Sequence, residues 1–189
     1  MNAWSVILLG AAAVAGAVLW FVIDRRRRDI TARATVLAAA VPLALLGVAG
    51  LLALIGDRPG DPLLATGTTL ATLAAVTGGG LVATAVLRLA DDVPIRLHTG
   101  TEAVMPTGTV SDPQTLRGGA WIGALERIAI VVTLLTGWPE GLAVILAVKG
   151  LGRYPELRRP AAAERFIVGT LASALWAVAA VGVVMALRG

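Results

Sequence analysis

The sequence contains no cysteine and a single histidine, His98, in 189 residues. Without cysteine, the chain has no disulfide framework, no thiolate metal site and no thiol nucleophile. One histidine excludes a multi-histidine metal centre and leaves little for a Ser–His–Asp triad. We therefore predict no cofactor, no metal and no catalytic residues. An enzyme is disfavoured, because only Asp91, Asp92 and His98 are left to serve one.

Charge is also scarce. Charged residues make up 15% of the chain and hydrophobic residues 57%, with a mean hydropathy of +0.83. An ordinary soluble domain has about 25% charged and about 45–50% apolar residues. Both departures indicate a chain that lies in lipid.

The apolar residues form six segments, of which most approach the roughly 20 residues that a membrane helix needs. The sequence therefore predicts an all-α polytopic membrane protein, a bundle of six transmembrane helices. The predicted spans are Ala3–Ile23, Ala34–Gly56, Leu63–Leu87, Ala120–Trp138, Leu142–Tyr154 and Phe166–Leu187. Because the fifth is short, the fourth and fifth form either two short spans or a re-entrant hairpin. The predicted organisation is a three-helix membrane region (1–87), a cytoplasmic loop (88–119) and a second three-helix membrane region with a charged cluster (120–189).

The basic residues predict the orientation of these spans. The cluster Arg25, Arg26, Arg27 and Arg28 follows the first apolar run, whereas a cleaved signal peptide carries its positive charge before the run. With both termini outside, 12 Lys and Arg residues fall in cytoplasmic segments, and only Arg58 and Arg188 fall outside. This topology explains the pI near 10.9 without nucleic-acid binding. The expected partners are the lipid bilayer and, at Arg25–Arg28, anionic lipid head groups.

Charges inside the spans mark the candidate site, because ionisable residues within a membrane segment are costly and need a partner. Glu126 and Lys149 fall at matching depths on antiparallel helices, and we predict that they form an ion pair. Arg153 follows Lys149 by four residues and shares its face of the fifth helix. Glu164 is a candidate partner for Arg127 or Arg153. The remaining candidates are two hydroxyls on the sixth helix, Thr170 and Ser173.

Two hypotheses account for this cluster. In the first, the cations bind an anionic solute or lipid head group in a cytoplasm-facing pocket, which makes the protein a small binding or transport protein. In the second, the charges are only an ion-pair lock, and the protein is a structural or assembly subunit with a membrane-protein partner. Similarly, Gly78-Gly79-Gly80 in the third span serves either close helix packing or a backbone-lined cavity.

Three motifs in residues 118–173 resemble the bacterial membrane-protein family of domain of unknown function 3307. They are GGAWIGALER from Gly118, AVKGLGR from Ala147, and AERFIVGTLAS from Ala163. They keep the order and spacing of the family pattern. The sequence departs from that pattern at Val148, where the family usually has Ala before the Lys. The resemblance implies a bacterial inner membrane location and supports the charged cluster, but it implies no reaction.

Overall fold

Helices account for nearly all of the computed structural model, which describes residues 2–26, 30–92, 119–158 and 160–189. The predicted all-α class is confirmed. The helices are α1 (Asn2–Arg25), α2 (Ala32–Ile55), α3 (Asp61–Asp92), α4 (Gly119–Leu135), α5 (Gly141–Gly152) and α6 (Pro160–Arg188), with a 3-10 helix at Glu156–Arg158. The predictions for Arg27, Arg28, His98 and most of the cytoplasmic loop fall outside the described residues.

Four of these helices are long and apolar enough to cross a membrane: α1, α2, α3 and α6. The other two are shorter. At 1.5 Å per residue, the 17 residues of α4 rise about 25 Å and the 12 residues of α5 about 18 Å, against a hydrocarbon core of about 30 Å. Of the six predicted spans, four therefore meet the length and composition of a transmembrane helix.

Two helices extend beyond their predicted ends toward the same side of the bundle. The third was expected to end at Leu87 but continues to Asp92, and the sixth was expected to begin at Phe166 but begins at Pro160. The prediction of a loop from residue 88 is therefore wrong for its first five residues. Asp91 on the extension of α3 pairs with Arg165 on the extension of α6, so that the two extensions contact each other.

Helix α3 is the centre of the bundle and packs against α1, α2, α4 and α6. Although α3 is rich in threonine, all six of these hydroxyls donate to the carbonyl four residues earlier, so that they need no partner outside the helix. The threonines that do so are Thr66, Thr68, Thr69, Thr72, Thr77 and Thr84. Thr77 also donates to the carbonyl of Ala13 on α1 at 2.9 Å.

Candidate functional site

The hairpin of α4 and α5 carries the predicted ion pair. A tight turn joins the helices, in which the Trp138 amide donates to the Thr133 carbonyl at 2.9 Å and Gly137 adopts a φ of 76°. This antiparallel arrangement brings Lys149 to Glu126, and Lys149 Nζ donates to Glu126 Oε2 as predicted. The side chains keep 21% and 15% exposure respectively, so that the pair lies near the surface rather than in the core.

Lys149 also reaches α6. Its ammonium lies 5.8 Å from the centroid of the Phe166 ring, within range of a cation–π interaction. Helix α5 otherwise packs mainly against α4, and Gly141 is its one fully buried residue. The contacts of Lys149 therefore connect the outer helix of the hairpin to the rest of the bundle.

Arg127, the residue after Glu126, points into the bundle. It is 7% exposed, its Nε donates to the Val76 carbonyl at 3.0 Å, and its Nη1 donates to Ser173 Oγ at 3.2 Å. Successive helical residues point about 100° apart, which is why Glu126 faces α5 while Arg127 faces α3 and α6. Arg127 thus joins three helices through neutral acceptors.

The suggested pairing of Arg127 with Glu164 is wrong. Ser173, which Arg127 does contact, lies nine residues further along α6 than Glu164, about 14 Å along the helix axis. Glu164 itself is exposed at the start of α6. Thr170 is half-buried, and Arg153 is half-buried at the end of α5, where its backbone amide caps the helix. The predicted cluster therefore divides into a surface pair and a buried arginine.

The three glycines of α3 explain how Arg127 enters the bundle. We call Gly78–Gly80 the glycine segment. A methyl group at Gly78 would lie 2.7 Å from Trp176 Cε2, and one at Gly79 would lie 2.9 Å from Arg127 Nε. At Gly80, it would lie 3.1 Å from Trp20 Nε1. The space that side chains at these three positions would occupy is therefore filled by large side chains of α6, α4 and α1. This arrangement agrees with the packing hypothesis.

Trp176 of α6 is also part of this site. Its indole is 2% exposed, and Nε1 donates to the Ala74 carbonyl of α3 at 2.9 Å. The carbonyls of Ala74 and Val76, just before the glycine segment, thus accept hydrogen bonds from Trp176 of α6 and Arg127 of α4. The sequence signal for this contact is the combination of three adjacent glycines with a tryptophan and an arginine in other apolar helices.

A second set of contacts lies at the end of the bundle where α3 ends and α6 begins. Arg88 Nη1 donates to the Ile30 carbonyl at 2.9 Å and to Thr35 Oγ1 at 2.6 Å, joining α3 to the start of α2. Arg165 pairs with Asp91, and both side chains are half exposed. Arg25 lies 4.2 Å from the Phe21 ring. Arg25, Arg88 and Arg165 thus each contact another group of the chain at this end of the bundle. The sequence did not predict these contacts for Arg88 and Arg165.

The site offers cations and hydrogen-bond donors rather than metal ligands. Within the described residues, no three His, Cys, Asp or Glu side chains form a group that could hold a metal ion. The ammonium of Lys149 has three donors, of which Glu126 accepts one. The arrangement can therefore donate to an anion at Lys149, whereas the donors of Arg127 point to Val76 and Ser173 inside the bundle.

No protein-family model, curated protein or solved structure matches the chain. The resemblance of residues 118–173 to the family of domain of unknown function 3307 stays a prediction.

Proposed function

We propose that the chain is a multi-pass integral membrane protein that binds an anionic solute or lipid head group between α4, α5 and α6. Lys149 is its central contact, Arg153 follows it by four residues at the C-cap of α5, and Glu126 accepts one of the three donors of Lys149. The observation that supports this proposal is that the ion pair keeps partial exposure while Arg127 is buried. The proposal needs neither a reaction nor a cofactor.

The proposed setting is a bacterial-type inner membrane with both termini outside. In this orientation, the ends of α1 and α5 and the start of α6 face the cytoplasm, where their basic side chains meet anionic head groups. The hairpin of α4 and α5 enters from the same face and returns to it, which is compatible with its two short helices.

The first test is ligand-induced stabilisation of the purified full-length chain. Thermal unfolding is followed by tryptophan fluorescence in mild detergent, with inorganic phosphate, glycerol 3-phosphate or phosphatidylglycerol added. A probe that binds the folded state at 100 times its Kd should stabilise it by about 2.7 kcal/mol, or roughly 5–11 °C for a chain of this size. In Lys149→Ala we expect this shift to disappear, because the central cation is gone.

Arg165→Ala is the matched control, since it also removes a cation from an ion pair near the start of α6. It should keep the ligand-induced shift. Because Lys149→Ala leaves the Glu126 carboxylate unpaired, the double variant E126Q/K149M provides a version without either charge. A shift that persists at full size in both Lys149 variants would contradict the proposal.

A second candidate function, an assembly subunit, is favoured by a different observation. Arg127, Glu126 and Lys149 all contact groups of the chain itself, as a structural lock requires. The outer face of α5 is also uncovered, with Val144, Val148 and Leu151 exposed.

The assembly hypothesis predicts a companion protein in a fixed ratio when the chain is purified from its own membranes in mild detergent. Replacing Val148 and Leu151 with alanine should release that companion while the chain itself stays folded, because it removes apolar contact area without placing a charge in lipid. Recovery of the native chain as a single species, with circular dichroism showing intact helices, would instead support the binding protein. Mass measurement of the purified particle separates the two results.

A further inference from the structure

We infer that the ligand of this site is an amphiphile, a lipid with an anionic head group, that reaches Lys149 sideways from the bilayer. This inference rests on the proposed function and names its ligand class. A soluble anion needs an aqueous route to the Glu126–Lys149 pair, whereas a lipid needs an apolar route. The surroundings of the pair therefore distinguish the two ligands.

The surface around the pair is apolar. Leu125 and Val148, the chain neighbours of the paired residues, are 63% and 64% exposed. Ile122, which lies one turn before Glu126 on the same face of α4, is 53% exposed, and Leu151 is 72% exposed. Acyl chains can cover these side chains while a head group contacts the ammonium. The surface around the ion pair therefore suits a molecule that has both an anionic head group and acyl chains.

The chain also leaves room beside the cation. Gly150 and Gly152 follow Lys149 on α5, and a methyl group at either position would find no heavy atom within 4 Å. Lys149 retains two donors beyond the one that Glu126 accepts. The oxygens of an anionic head group can accept from these donors in charge-assisted hydrogen bonds.

The depth of Lys149 agrees with a head-group position. Tyr154, five residues later, is exposed, and the Arg158 guanidinium lies 5.8 Å from its ring. Tyrosine and arginine are typical of the membrane–water interface. Helix α5 ends three residues after Lys149, about 5 Å along its axis, which places the ammonium just below that interface.

The test uses the full-length chain in nanodiscs of phosphatidylcholine that contain a minor fraction of phosphatidylglycerol, with native mass spectrometry counting the lipids retained. We expect retention of phosphatidylglycerol over phosphatidylcholine by about tenfold, which corresponds to one hydrogen bond to a charged group. Lys149→Ala should abolish the preference. Glu126→Gln should increase it, because the competing carboxylate is removed, whereas a purely structural pair would lose stability without gaining lipid affinity.

Arg58→Ala, a cation at the opposite end of the bundle, is the control and should leave the preference unchanged. Inorganic phosphate and glycerol 3-phosphate are added as soluble competitors. If they bind the wild type at Lys149 as tightly as the lipid does, the inference fails and the proposed function stands. If no probe, soluble or lipid, depends on Lys149, both fail.

Discussion

Replacing Gly78 with alanine should destabilise the protein by about 1–3 kcal/mol, the usual effect of overpacking. The added methyl group would lie 2.7 Å from Trp176 Cε2, so that the indole has to move. Movement of the ring also disturbs the hydrogen bond from Nε1 to the Ala74 carbonyl. The measurement is thermal unfolding in detergent followed by circular dichroism, where each kcal/mol corresponds to roughly 2–4 °C.

Gly182→Ala is the matched control. It makes the same chemical change inside α6, but its methyl group would find no heavy atom within 4 Å. Alanine is favoured over glycine in a helix interior by about 0.5–1 kcal/mol, so we expect a small stabilisation. The two variants should therefore shift the melting temperature in opposite directions. Equal shifts would contradict the close packing of Trp176 on the glycine segment.

Replacing Arg127 with alanine should destabilise the protein by about 2–4 kcal/mol, through the cavity left in the bundle and the loss of two buried hydrogen bonds. Both bonds run from α4 to other helices, to Val76 of α3 and Ser173 of α6. Arg127→Met fills a similar volume without the donors and should recover about half of this loss. The same unfolding measurement ranks the three proteins.

Arg165→Ala again serves as the control, because its ion pair with Asp91 is half exposed. Exposed pairs contribute up to about 1 kcal/mol, so this variant should melt within a few degrees of the wild type. If Arg127→Ala has the same melting temperature as Arg165→Ala, Arg127 does not secure α4 to the bundle. The Arg127 variants should also keep the proposed lipid preference, because the donors of Arg127 point into the bundle and Lys149 is the proposed lipid contact.

The contact between Glu126 and Lys149 was predictable because it depends on local information. A tight turn makes α4 and α5 antiparallel, and equal distances from that turn place the two side chains opposite each other. A charge in an apolar helix needs a partner, and each was the nearest candidate for the other. Arg127 was harder, because its acceptors lie on α3 and α6 and one of them is a backbone carbonyl that no side-chain pattern indicates.

Composition and apolar run length indicated by themselves that the chain is helical and has membrane-length segments, although they predicted six such spans where four helices meet the length and composition. They do so because backbone polar groups in lipid have to be satisfied within each segment, which makes the helix a local property. Only the tertiary structure decided that α3 is central, that α3 and α6 extend past their apolar runs, and that the glycine segment receives Trp176 and Arg127. Small residues permit the close approach of any helix. The position of a glycine in the sequence therefore does not indicate which neighbouring side chain fills the space beside it.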